Sequence, residues 1–228
     1  MRIFYDAEFV ERGPDIPIRL VSIGMVRDDG AMFYAVNAEC LSDVARHPWL
    51  SINVWPHLPA LAPNAGILEW DKEHPDYPAV LPRDAISKLV REFITEVSDP
   101  ELWAWYGAYD HVGLCQLFGS MAELPAGIPM YTNELVQEWK RLGRPELPPE
   151  RGNTHHALVD AYWAQEVGSV LRTLEEVTLK MASPGESSVD EAAHVQGDAT
   201  WGEILDPKKW VEALAVSRPD PLLSEPRP

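Results

Sequence analysis

Asp6 and Glu8, in the run Ile3-Phe4-Tyr5-Asp6-Ala7-Glu8-Phe9, are two acids standing two residues apart inside an apolar segment. On a β-strand that spacing points both carboxylates to one face. Buried acids are costly unless something pairs with them, and adjacent carboxylates repel. A hard divalent cation held by oxygen ligands resolves both problems. Three further residues have matching chemistry: Asp110, at the end of Trp105-Tyr106-Gly107-Ala108-Tyr109-Asp110, and His155 and Asp160, in His155-His156-Ala157-Leu158-Val159-Asp160. Bland alternatives exist for each: a solvated strand pair for Asp6 and Glu8, a helix N-cap for Asp110.

His155 and Asp160 are five apart, about 500° around a helix, so one helical face cannot carry both. This predicts His155 on the loop before a helix and Asp160 one turn inside it. A mobile imidazole beside an activated water is what a general base near neutral pH requires. His156 competes for the part and is expected to be exposed. His111 is expected to pack or cap; His47, His57, His74 and His194 follow no usable pattern.

These residues need elements to hold them. Arg2 to Phe9 reads as a strand rich in β-branched and aromatic residues, Ile18 to Val26 as a second and Ala31 to Val36 as a third, with Asp28-Asp29-Gly30 as a hairpin turn. Together they predict an antiparallel meander. Leu41 to Arg46 is a weak helical turn, and residues 47–82 form a proline-dotted loop whose Trp49, Trp55, Trp70 and Tyr77 are expected to pack on something. Apolar residues at 86, 89, 90, 93, 94 and 97 predict a helix over Arg83 to Val97. A strand over Glu101 to Trp105 follows, then a helix over Tyr109 to Phe118. Thr132 is expected to cap a helix over Asn133 to Leu142, and Asn153 or Thr154 a long helix over His156 to Met181.

After Ala182 the composition turns Pro-, Ser- and acid-rich, which divides the chain into a body over 1–182 and a linker with a partly disordered extension over 183–228. Within that extension Trp201 to Val216 is an apolar patch expected to dock as one or two helices.

The chain has 228 residues and a formal net charge of −17, which opposes broad electrostatic capture of nucleic acid but not an enzyme whose metals bring positive charge to one place. The start meets an acid at position 6, which predicts no signal peptide, and no apolar run is long enough to span a membrane. Cys40 and Cys115 lack zinc-site or disulfide-framework spacing, which points to reduced thiols in a cytoplasm. No Gly-x-Ser-x-Gly elbow, P-loop or Gly-x-Gly-x-x-Gly is present, so serine hydrolases and nucleotide switches lack their parts.

The element order, with acids on the first strand, at a later strand–helix junction and on the last helix, resembles the DEDDh 3′-5′ exonucleases of the ribonuclease-H-like superfamily. Among them it is most similar to the actinobacterial polyadenylate-specific 3′-exoribonucleases, the RNase AS group, over about Met1 to Leu171. The matching stretches are Phe4 to Phe9, Leu20 to Gly24, Leu102 to Val112 and His156 to Ala161. The broad DEDDh pattern has an Asn where this chain has Trp105, a departure that the RNase AS group shares.

The resemblance implies an α/β fold, a mixed β-sheet flanked by helices, with a C-terminal extension. It implies two Mg2+ or Mn2+ ions, one held by Asp6, Glu8 and Asp160 and the other by Asp6 and Asp110, with His155 as general base. It implies single-stranded RNA 3′ ends as substrate, with polyadenylate preferred, and a homodimer. Short oligoribonucleotides, tRNA ends or single-stranded DNA are the alternative substrates, and a non-catalytic nucleic-acid-binding module is the other class. Phe9 and Val10 would contact the terminal base, or else are plain core. Trp105 is a stacking platform or core.

Overall fold

The computed structural model describes residues 1–62, 67–150 and 154–182. Readings that fall on Asn153 or beyond Ala182, including the tail patch, lie outside the described residues.

β1 (Arg2–Val10) carries its apolar residues on both faces, so it must lie in the middle of a covered sheet. β2 (Arg19–Arg27) and β3 (Met32–Asn37) follow it as the expected antiparallel meander. The turn between them closes by Gly30 N–H donating to Arg27 O at 3.0 Å, with Gly30 at φ +89°, where a side chain would be strained. Three short strands extend the sheet: β4 (Val80–Leu81) parallel to β3 at one edge, β5 (Glu101–Ala104) parallel to β1, and β6 (Asn133–Glu134) parallel to β5 at the other edge. The described sheet has six strands in the order β4-β3-β2-β1-β5-β6, a mixed sheet.

Helices cover both faces. α3 (Arg83–Thr95) and α4 (Ala108–Leu117) pack on the face carrying Ile3, Tyr5, Ala7, Ile23 and Met25. α3 does so through Ile86, Val90 and Ile94, each fully buried and each contributing roughly 1.5–3 kcal/mol of burial. The other face, beginning at Phe4, receives α5 (Leu135–Arg141) and α6 (Ala157–Ala182), with Trp163, Ala164, Val167 and Leu171 against it. α1 (Leu41–Arg46), α2 (Leu50–Asn53) and the proline segment enclose a third cluster around Val10, Val21 and Val36. There Trp55 is buried and Trp70 packs from the side, as their presence in the segment suggested, while Trp49 stays exposed.

One expected detail is corrected. Thr132 caps no helix. Asn133 and Glu134 pair with β5 first, and the cap of α5 is Glu134, whose carboxylate accepts from Val136 N–H at 3.1 Å. The strand pairing takes the residues that local propensity assigned to a helix.

The placement of α6 across the sheet is fixed at several points. Arg2 forks onto Asp28 at 2.9 and 3.2 Å and donates to Gly168 O at 3.1 Å, tying strand, hairpin and helix together. Buried Gln165 donates to Arg27 O at 2.8 Å. At the N-terminal end the helix backbone touches the sheet itself. A Cβ on Gly24 would lie 2.4 Å from the backbone of Ala157 and Leu158. Gly24 pairs with Asp6 in the sheet, so this contact delivers the first turn of α6 to the acids of β1.

Candidate active site

Asp6 and Glu8 follow Phe4 on the alternation of β1 and therefore face α6. A register shift between Glu8 and Phe9 ends the regular pairing just beyond them. Carboxylate oxygens of Asp6, Glu8 and Asp160 lie within 4.8 Å of one another. Two oxygens on opposite sides of one magnesium ion are separated by roughly 4.2 Å, so a small closure would let the three share a cation. The donor set is all oxygen, and among the described residues no Lys or Arg pairs with any of them. The residues present therefore fit a hard divalent ion.

Asp110 stands outside that trio. It sits in the first turn of α4, is 6% exposed, and accepts a hydrogen bond from Ala7 N–H at 2.7 Å. Its charge acts strongly on Asp6. Asp6 thus feels three other acids: Asp110, Glu8 and Asp160.

The electrostatics are those of crowded, poorly solvated carboxylates. Burial first, then the charges of Asp110, Glu8 and Asp160, raise Asp6 well above the usual carboxylate range. Burial, then Asp160 and Asp110, push Glu8 up to about 8. Burial pushes Asp110 up to about 7, against the lowering effect of the Ala7 hydrogen bond. Asp160 is raised by burial and held back by the His155 N–H and the nearby imidazoles. A site that holds protons this tightly offers the same unneutralised field to cations.

His155 lies on the turn before α6, as its spacing from Asp160 requires. Its φ is +72°, and its backbone N–H donates to Asp160 Oδ2 at 2.7 Å. Its ring places Nδ1 3.8 Å from Glu8 Oε1, meets Trp49 edge-on at 4.8 Å, and is 40% exposed.

His156 is not exposed, which corrects the sequence reading. Its side chain is 13% exposed, stacks on Tyr34 at 4.6 Å, and holds Nε2 3.6 Å from Asp76 Oδ2. Asp76 is lowered chiefly by its hydrogen bond with His156. The imidazole thus fastens the start of α6 to β3 and to the proline segment. His111 packs, with Nδ1 3.3 Å from the Tyr5 hydroxyl.

Of the apolar residues near the acids, Phe9 is half-buried and stacks on Tyr109, centroids 5.6 Å apart. Val10 is 4% exposed within the third cluster, the packing alternative of the two weighed for it. Trp105 is half-buried against Trp139 and Trp163, at 5.9 and 5.2 Å, so much of its ring is engaged in packing.

Sequence reasoning missed four contributors. Gly24 had a signal, since an isolated glycine inside a strand often marks a close backbone approach. Glu134 accepts from Tyr106 N–H at 2.9 Å and Gly107 N–H at 3.0 Å, shaping the turn that leads to Asp110. Tyr34 and Asp76, the partners of His156, had none, because they meet it from far along the sequence.

A family model described as the Rv2179c-like 3′-5′ exoribonuclease domain matches residues 1–171. Two curated relatives from Mycobacterium tuberculosis strains, 3′-5′ exoribonuclease Rv2179c (H37Rv) and 3′-5′ exoribonuclease MT2234.1 (CDC 1551), are each 44% identical over 163 residues, 71% of this chain and 87% of theirs. Among solved structures, one of exonuclease I superposes with a TM-score of 0.51 at 15% identity, covering 78% of this chain and 43% of that one. That likeness concerns the fold, which is the ribonuclease-H-like exonuclease arrangement of a mixed sheet flanked by helices.

Proposed function

This chain belongs to the Rv2179c-like 3′-5′ exoribonuclease family, and we propose that it works as a metal-dependent enzyme removing nucleoside 5′-monophosphates one at a time from single-stranded RNA 3′ ends. The observation that carries the mechanism is the convergence of Asp6, Glu8 and Asp160 within 4.8 Å from segments far apart in the sequence. Asp6, Glu8 and Asp160 would hold one Mg2+ or Mn2+ ion and Asp6 and Asp110 a second, and such ions would supply charge neutralisation at the scissile phosphate and activation of the attacking water.

His155 takes the proton of that water. With Nδ1 turned toward Glu8, the free acceptor is Nε2, and the imidazolium that forms lies beside the carboxylates of Glu8 and Asp160. The water oxygen bonds to phosphorus as the bond to the 3′ oxygen of the preceding nucleotide breaks. Asp110, with Asp6, serves the departing oxygen in this scheme. The products are a nucleoside 5′-monophosphate and an RNA shorter by one residue with a free 3′ hydroxyl.

Polyadenylate as preferred substrate, a homodimer and a cytoplasmic setting complete the proposal. The last is supported by two buried free thiols, Cys40 and Cys115, which suit a reducing compartment. Among the described residues no helix is long and apolar enough to cross a membrane.

The test is product analysis on labelled homopolymer RNAs and single-stranded DNA with magnesium or manganese. Mononucleotide release that stops with chelator is the expected result. Undiminished turnover in excess EDTA would overturn the metal mechanism. Equal rates on poly(A), poly(U) and poly(C) would remove the polyadenylate preference alone.

A further inference from the structure

Tyr106 occupies a backbone position that folding alone does not favour for it. Its φ is +58°, a conformation in which glycine is free and a tyrosine is strained, and its side chain is 70% exposed. The turn around it is nonetheless firmly built, with the Glu134 carboxylate accepting both the Tyr106 and Gly107 N–H groups from beneath. Three residues on, Tyr109 is 50% exposed, and its ring lies nearly parallel to Phe9, at 15°. Tyr109 immediately precedes Asp110 and stacks on the residue after Glu8, so this exposed aromatic pair lies beside the acids. In the proposed reaction Asp110 serves the departing oxygen, so the RNA that remains after each cut would lie on this side.

That RNA has to be held by something other than charge. The net charge of −17 gives the chain little general attraction for phosphates, whereas aromatic rings stack on bases without ionic help. We propose that Tyr106 and Tyr109 form a stacking shelf for the nucleotides immediately 5′ of the one being removed. The proposal rests on the exoribonuclease reading and on the place of Asp110 in it. The shelf accepts any base, since every base has a stacking face, and it holds the shortened product for the next cut.

The test uses the full-length chain, magnesium, and two substrates. One is a single-stranded octaribonucleotide. The other is a nitrophenyl ester of adenosine 5′-monophosphate, which has a leaving group but no upstream nucleotide. Tyr106→Gly removes one ring while suiting the backbone, and Tyr109→Ala removes the other. Each is expected to raise KM for the octamer by about 5- to 150-fold, the range for loss of one base–ring stack, with kcat much less affected. The effect on the ester should be at least about fivefold smaller than on the octamer. Tyr106→Phe and Tyr109→Phe should restore the octamer KM, because the ring and not the hydroxyl stacks. An unchanged octamer KM in both ring-removal variants overturns the shelf, and so does an equal loss on both substrates. Failure of the wild-type chain to cleave either substrate instead counts against the exoribonuclease reading.

Discussion

Two helices each bring one carboxylate to β1 from their first turn, and they do so in opposite ways. Asp110 of α4 is bonded to the sheet itself through Ala7 N–H, and the turn before it is clamped by Glu134. Asp160 of α6 is bonded to its own preceding loop through His155 N–H, while the helix is anchored further along by Arg2 and Gln165 and at its tip by the Gly24 contact. The α4 side is thus rigid with the sheet. The α6 side carries a partly exposed imidazole on a turn with no hydrogen bond of its own to the sheet among those described. The difference suits the proposed division of labour: a fixed side toward the departing oxygen, an adjustable side toward the attacking water.

Asp6 is common to both sides, so removing it should break the comparison altogether. Asp6→Ala is expected to cost several orders of magnitude in turnover, as loss of one member of a cooperating group does. The fold should survive with undiminished thermal stability, because a repelled carboxylate has gone. Single-turnover rates settle the point, and more than about a tenth of wild-type activity would show that Asp6 bridges nothing.

The adjustable side is tested by His155→Asn, which tolerates the same left-handed backbone. A fall in kcat of roughly 10²–10⁴-fold with little change in KM is expected of a lost general base. A variant that loses KM instead would make His155 a binding residue.

Gly24→Ala attacks the anchor of that side. The new Cβ meets backbone that cannot step aside, 2.4 Å away, and overpacking of this kind costs about 1–3 kcal/mol. Denaturant titration should show that loss, with turnover falling as Asp160 is pushed from Asp6. An unchanged midpoint would mean that α6 does not rest on the sheet there.

Protons and cations compete for the shared acids. Glu8 and Asp110 are raised by burial to about 8 and about 7, so the folded, metal-free protein holds protons that the unfolded chain releases. Their contribution to stability is complete below the ordinary carboxylate range and disappears as pH rises through 7 to 8. Magnesium or manganese should therefore raise the melting temperature more at pH 8 than at pH 5.5 (on the order of a few degrees). A gain independent of pH would separate the cations from these groups.

The smallest effect is expected at His156. His156→Ala loses the Tyr34 stack and the Asp76 contact, about 0.5–1.5 kcal/mol for an aromatic pair. Turnover should stay within a few-fold of wild type, far above the His155 variant. A melting temperature equal to wild type would show that the imidazole fastens nothing.

Much of the site is legible in the order and spacing of the residues. The alternation of β1 places Asp6 and Glu8 on one face whatever the fold, and the five-position offset from His155 to Asp160 excludes a shared helical face. The hairpin, α3 and the start of α6 follow from turn chemistry and apolar spacing, which are local properties. The stretches that carry the exonuclease resemblance are local too, and they suffice for the family. What the chain alone could not decide depends on residues meeting from far apart. Glu134 shapes the turn at Tyr106 only because β6 lies beside β5, and that pairing also removes Thr132 from its expected cap. His156 is covered because Tyr34 and Asp76 meet it from far along the chain, a meeting that no spacing rule encodes. Asp160 reaches Asp6 because a glycine opposite that acid lets a helix backbone touch the sheet. Periodicity governs which way a side chain points from its own element; close packing between elements decides what it finds there.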